Sequence, residues 1–172
     1  MDQADKLWSK ALSHDPEDVE SYLQMGYSLE ANGYPHLAVV LYRKAIGLEP
    51  GLFLGHFDLG IALDTVKDKK GAEAALRRSV EIAPRFYDGH LKLGTFYLSH
   101  GVVDSALICF DRAIQLERDK PEAYNNLGVA QQRLGQRDLA LASWEKTLSL
   151  DPTFADAYRN IGDVRLKAGE VD

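Results

Sequence analysis

Two histidines sit in matching phrases, LGHFDLG and DGHLKLG, at His56 and His90. Imidazoles brought together by a repeating fold could share a zinc ion or titrate as a pair near neutral pH. The other reading is that each ring replaces an aromatic residue at a helix–helix seam, and we prefer it. His14, His36 and His100 do not share that spacing. Asn126 and Asn160 also stand 34 residues apart, as NNLG and RNIG. An amide offers both donor and acceptor, so paired asparagines suit a peptide backbone more than bond cleavage. Cys109 is the single cysteine, which rules out an internal disulfide or a multi-cysteine zinc site. It lies in ALICFDRAI, on a helical pattern, where packing explains it. There is no HExxH, phosphate-binding glycine loop or nucleophile elbow. The expectation is a protein without catalysis, cofactor or metal.

What positions these residues is a repeat. Gly26, Gly60, Gly94, Gly128 and Gly162 are spaced by 34. Before them stand Met25, Leu59, Leu93, Leu127 and Ile161, and four places before them Tyr22, His56, His90, Tyr124 and Tyr158. Ala38, Ala72, Ala106 and Ala140 follow in the same register, then Tyr42, Leu76, Phe110 and Trp144. Pro50, Pro84 and Pro152 close their units, and Arg118 holds that place in the third. Each unit carries two apolar patterns of helical period. Gly33, Gly101, Gly135 and Gly169 mark the break between them, and Lys67 must turn the second unit without a glycine. A glycine inside a helix costs about 1 kcal/mol in propensity, so close approach of a neighbouring helix must compensate. The large residue of the second helix fills that space.

These positions resemble the tetratricopeptide-repeat family. The fourth unit carries Tyr124, Leu127, Gly128, Ala140, Trp144 and Pro152, departing at Gln131 and Thr147. The third has Leu93, Gly94, Tyr97, Ala106, Phe110 and Ala113, while the second is weakest, with His56, Leu63, Leu76 and Ser79. The resemblance implies an all-α fold, a right-handed superhelical solenoid of antiparallel helix pairs. It spans 1–172 as one array, with full repeats at 19–52, 53–86, 87–120 and 121–154. Residues 1–18 read as the second helix of a partial repeat, through Ala4, Trp8, Ala11 and Pro16. Residues 155–172 read as the first helix of another. The ragged end suggests a longer natural chain or an excised fragment, with packing on another copy as the alternative.

The resemblance further implies that first helices line a groove that holds a protein or peptide. Carried over place by place, the groove residues are Tyr27, Phe57, Asp58, Asp64, Lys92, Asn125, Asn126, Arg133, Arg159 and Asn160. The first half mixes apolar and acidic groups, and the second carries amides and bases, so a partner with a basic, apolar end would match. The family's chaperone-carboxylate clamp needs lysine, asparagine and arginine where this chain has Leu23, Tyr27 and Asp58. A frame moved by one unit puts Phe57, Ile61 and Lys92 there, so that clamp is not expected. Self-association through the terminal helices or the groove is the alternative function.

Composition sets the remaining limits. At 45% hydrophobic and 27% charged the chain reads as folded, not disordered. A net charge of −6 disfavours a general nucleic-acid binder. No apolar run is long enough for a membrane span, and MDQADKLW does not read as a signal peptide. With one cysteine, these features point to a cytoplasmic location.

Overall fold

The computed structural model describes residues 16–169, and within them every regular element is an α-helix. The readings placed on Ala4, Trp8, Ala11 and His14 lie outside the described residues. Two compact units divide the chain after Pro84. The first contains α1 (Val19–Ala31), α2 (Pro35–Leu48), α3 (Phe53–Thr65) and α4 (Lys69–Ile82). The second contains α5 (Tyr87–Ser99), α6 (Val103–Leu116), α7 (Pro121–Arg133), α8 (Arg137–Leu150) and α9 (Ala155–Lys167).

Inside the first unit, α1 packs antiparallel to α2 and α3 to α4, while α2 also packs on α3. The second unit repeats this with α5 against α6, α7 against α8, α6 on α7, and α9 against α8. First helices therefore touch one another: α1 meets α3 in one unit, and α7 meets both α5 and α9 in the other.

Local chemistry sets the helix ends. The Asp18 carboxylate caps α1 by accepting from the Ser21 N–H at 3.2 Å, and Asp68 caps α4 by accepting from Gly71 at 3.0 Å. Proline opens α2 at Pro35 and α7 at Pro121, where a missing N–H costs least. First helices stop in a left-handed residue: φ is 84° at Gly33, 78° at Gly101 and 73° at Gly135. The next amide then reaches back to an orphan carbonyl, Tyr34 to Leu29 at 2.8 Å, Val102 to Tyr97 at 2.9 Å and Gln136 to Gln131 at 3.0 Å. The second unit of sequence makes the same turn with a lysine. Lys67 has φ 68°, and Asp68 N–H still donates to Leu63 at 2.9 Å.

The cores explain the periodic glycines. A Cβ on Gly26 would lie 2.5 Å from the Tyr42 ring, on Gly94 2.5 Å from Phe110, on Gly128 2.5 Å from Trp144, and on Gly60 2.6 Å from Leu76. All four of those large side chains are fully buried. Ala38, Ala72, Ala106 and Ala140 are equally buried, leaving room for the facing helix. Where a hydroxyl replaces the usual alanine it finds a carbonyl: Ser79 donates to Phe53 at 2.8 Å, and Thr147 to Ser143 at 3.0 Å. Gln131 stands where the family prefers an aromatic, and its Oε1 accepts from Ser143 at 2.7 Å.

Candidate functional site

Adjacent first helices pack together within each unit, and the residues expected to line a groove are all on first helices. In the first unit, Tyr27 on α1 is 67% exposed, although it is a large aromatic side chain. Phe57, Asp58 and Asp64 on α3 are half-buried. The Tyr42 hydroxyl, rooted in the core beside Gly26, reaches α1 and donates to Glu30 Oε2 at 3.1 Å. Burial, and then the negative charge of Glu30, push the Asp58 carboxyl up to about 6. Burial raises the Tyr42 phenol too, with Asp58 and Glu30 adding to the effect. Tyr27, Glu30, Tyr42 and Asp58 thus act on one another electrostatically. The sequence shows Tyr42 only as a filler of the helix seam. Its bond to Glu30 comes from the length of a tyrosine, whose ring packs on Gly26 and whose hydroxyl reaches beyond it.

In the second unit the amides are linked. Asn125 is buried, and its backbone carbonyl accepts from Trp144 Nε1 at 3.2 Å. Asn160 Nδ2 donates to Asn125 Oδ1 at 3.2 Å, and Asn125 Nδ2 donates to Asn126 Oδ1 at 3.4 Å. The indole N–H thus holds the backbone of Asn125, while the Asn125 side-chain amide links Asn126 on α7 to Asn160 on α9. Equal spacing in sequence suggests that Asn126 and Asn160 are equivalent rungs. In the fold Asn160 spends a donor on Asn125 instead of standing free beside Asn126.

The cations divide. Lys92 on α5 is half-buried. Arg133 at the end of α7 donates through Nη1 to the Leu98 carbonyl, placing its charge at the C-terminal end of α5. Arg159 pairs with Asp156 at 2.9 Å on the exposed surface of α9. Tyr27, Glu30, Phe57, Asp58 and Asp64 thus share one unit, while Lys92, Asn125, Asn126, Arg133, Arg159 and Asn160 share the other.

His56 does more than pack. Its Nε2 lies 3.2 Å from the Pro50 carbonyl, as the Tyr22 hydroxyl lies 3.1 Å from Pro16 and Tyr158 3.2 Å from Pro152. A ring that can hydrogen-bond the carbonyl of the preceding loop satisfies this junction, whether phenol or imidazole. Among the described residues, no three His, Cys, Asp or Glu side chains are placed to hold a metal ion. Cys109 is buried, and burial pushes its thiol up to about 11, away from the thiolate a nucleophile needs. Among the described residues, no helix is long and apolar enough to cross a membrane.

Known proteins resemble this chain in fold. Its backbone superimposes on a crystal structure of MamA with a TM-score of 0.80 and 28% identity, covering 90% of this chain and 98% of that one. YrrB, described as a TPR protein with an unusual peptide-binding site, gives 0.78 at 22% identity, covering 96% and 85%. PilF of Pseudomonas aeruginosa gives 0.81 at 22%, covering 88% and 69%. A search of curated protein sequences gives no match. Tetratricopeptide-repeat profiles match residues 19–51, 97–135 and 121–154. A chain that turns, packs and repeats by that one pattern belongs to the tetratricopeptide-repeat family.

Proposed function

We propose that this protein is a non-catalytic interaction scaffold that binds an extended peptide or protein segment along its first-helix faces. The observation that carries the reading is the side-chain amide chain of Asn160, Asn125 and Asn126 across α7 and α9. Half-buried Asn126 and Asn160 carry amide donors and acceptors beside buried Asn125, and such groups pair with an extended backbone. Exposed Tyr27 and the nearby Asp58 and Glu30 favour a partner with a basic, apolar stretch. YrrB's described peptide-binding site is compatible with the reading, and at 22% identity the fold is what the two chains share.

The test begins with selection of binding peptides from a random library on the 172-residue chain. Calorimetry then compares the wild type with Asn126→Ala and Asn160→Ala. One hydrogen bond contributes about 0.5–1.5 kcal/mol, so each variant should weaken binding about 2- to 12-fold. Unchanged far-UV circular dichroism would show that folding is intact. Peptides that bind equally well to both variants would remove the amide chain from the site.

A further inference from the structure

The charged residues of the first unit are sorted by helix. α1 carries Glu20 and Glu30, and α3 carries Asp58 and Asp64, with no lysine or arginine on either. α2 carries Arg43 and Lys44 with no aspartate or glutamate. In this unit α4 alone mixes the two signs, as in its Arg78–Glu81 pair. In the second unit every helix carries both signs, as α9 does in its Arg159–Asp156 pair. The segregation is therefore a property of α1, α2 and α3.

The outward side of α2 is apolar as well as basic. Ala38, Tyr42 and Ala45 are fully buried in the helix packing. On the other side Leu37 is 54% exposed and Val40 61% exposed, and exposed Lys44 completes the stripe at the i, i+3, i+7 spacing. Ile108 and Leu139 are exposed two and three periods on from Val40 and Leu37, so this stripe recurs on second helices. Only α2 surrounds it with bases alone, and among the described residues Arg43 and Lys44 have no carboxylate partner. α1 buries Ser21, Leu23 and Gly26 and leaves Glu20, Gln24 and Tyr27 exposed at the i, i+4, i+7 spacing. On α3, exposed Leu54 stands one turn before Asp58. An apolar, basic stripe and an apolar, acidic one thus lie on the same chain. Apolar contact bordered by charges of opposite sign is how protein surfaces match. We propose that the outward stripe of α2 in one copy docks on the outward stripes of α1 and α3 in a second copy, with Leu37 and Val40 against Tyr27 and the bases of α2 facing the carboxylates. The contact joins two different surfaces of one chain, so each copy keeps a stripe free and association can continue beyond a dimer. The inference rests on the part of the proposed function that gives Tyr27, Glu30 and Asp58 a basic, apolar partner, and it names that partner as a second copy. The amide chain of the other unit takes no part in it.

Light scattering tests it on the full chain, from about 1 μM to about 1 mM. Two salt concentrations are compared, about 0.01 M and about 1 M, where charges are screened beyond about 30 Å and about 3 Å. The expected result is a mass that rises from 19.1 kDa with concentration in low salt and falls back towards that value in high salt. Arg43→Glu with Lys44→Glu reverses the basic stripe, and Glu20→Lys with Asp64→Lys cancels the acidic excess. Each double variant, with the far-UV circular dichroism of the wild type, should stay monomeric. An equimolar mixture should recover a dimer, because the first variant retains the acidic stripes and the second the basic one. Association that 1 M salt leaves intact would overturn the inference, and so would a mixture that stays monomeric. A constant monomer mass for the wild type would overturn it too, whether or not the variants fold. Peptide binding would then still be judged by its own calorimetry on Asn126→Ala and Asn160→Ala.

Discussion

The same substitution should have opposite effects at two equivalent glycines. At Gly128, an added methyl group would sit 2.5 Å from Trp144 Nε1 and 2.8 Å from Cδ1 and Cε2. The indole cannot retreat easily, since it is fully buried and its N–H donates to Asn125 at 3.2 Å. Overpacking of this kind costs about 1–3 kcal/mol. Replacing glycine by alanine inside a helix returns about 1 kcal/mol. Displacement of the indole would also weaken its hydrogen bond, which is worth about 0.5–1.5 kcal/mol. Together these make Gly128→Ala destabilising by about 0.5–3.5 kcal/mol. At Gly162 nothing lies within 4 Å, so only the helix term remains and Gly162→Ala should stabilise by about 0.5–1 kcal/mol. Urea unfolding, followed by circular dichroism at low protein concentration, reads both. If Gly128→Ala matches or exceeds the wild type in stability, the periodic glycines are not spacers for the facing aromatic residue. If Gly162→Ala destabilises, its position is not open.

Other outcomes follow from single residues. Lys67 holds a left-handed φ of 68°, which costs an L-residue about 1–2 kcal/mol; glycine's larger entropy loss on folding offsets about 0.5–1 kcal/mol of that, so Lys67→Gly should raise the midpoint of thermal unfolding by about 1–4 °C. Asp58 has its folded pKa raised from 3.8 to about 6, so the folded state binds that proton more tightly than the unfolded chain. Its contribution to stability is therefore largest below about pH 4 and falls as pH rises to about 6. Asp58→Asn should flatten that part of the stability profile measured by urea titration at several pH values. Cys109 is buried with its thiol raised to about 11, so a disulfide reagent at neutral pH should modify it only at the rate of local opening, and faster in urea.

The sequence makes the helix pairs legible because their determinants are local and periodic. Glycine at the left-handed turns, a small residue in one helix and a large one sixteen places on are each visible without coordinates. Lys67 was readable as an exception, and the structure adds that it keeps the turn and the Asp68–Leu63 hydrogen bond. The face is less legible. Register places Asn126 and Asn160 as equivalents, but helix geometry connects Asn160 to Asn125. Arg133 reads as a groove base, yet it serves the end of α5 through Leu98. The link from Tyr42 to Glu30 depends on how far a phenol reaches beyond a glycine, which spacing alone does not encode.

The most direct test of the scaffold reading is an amide chemical-shift map of the 15N-labelled protein titrated with a selected peptide. The account predicts that the largest changes fall on first helices, around Asn126 and Asn160 in one unit and Tyr27 and Asp58 in the other. Changes concentrated on the second helices, around Leu37, Ile108 or Leu139, would contradict it.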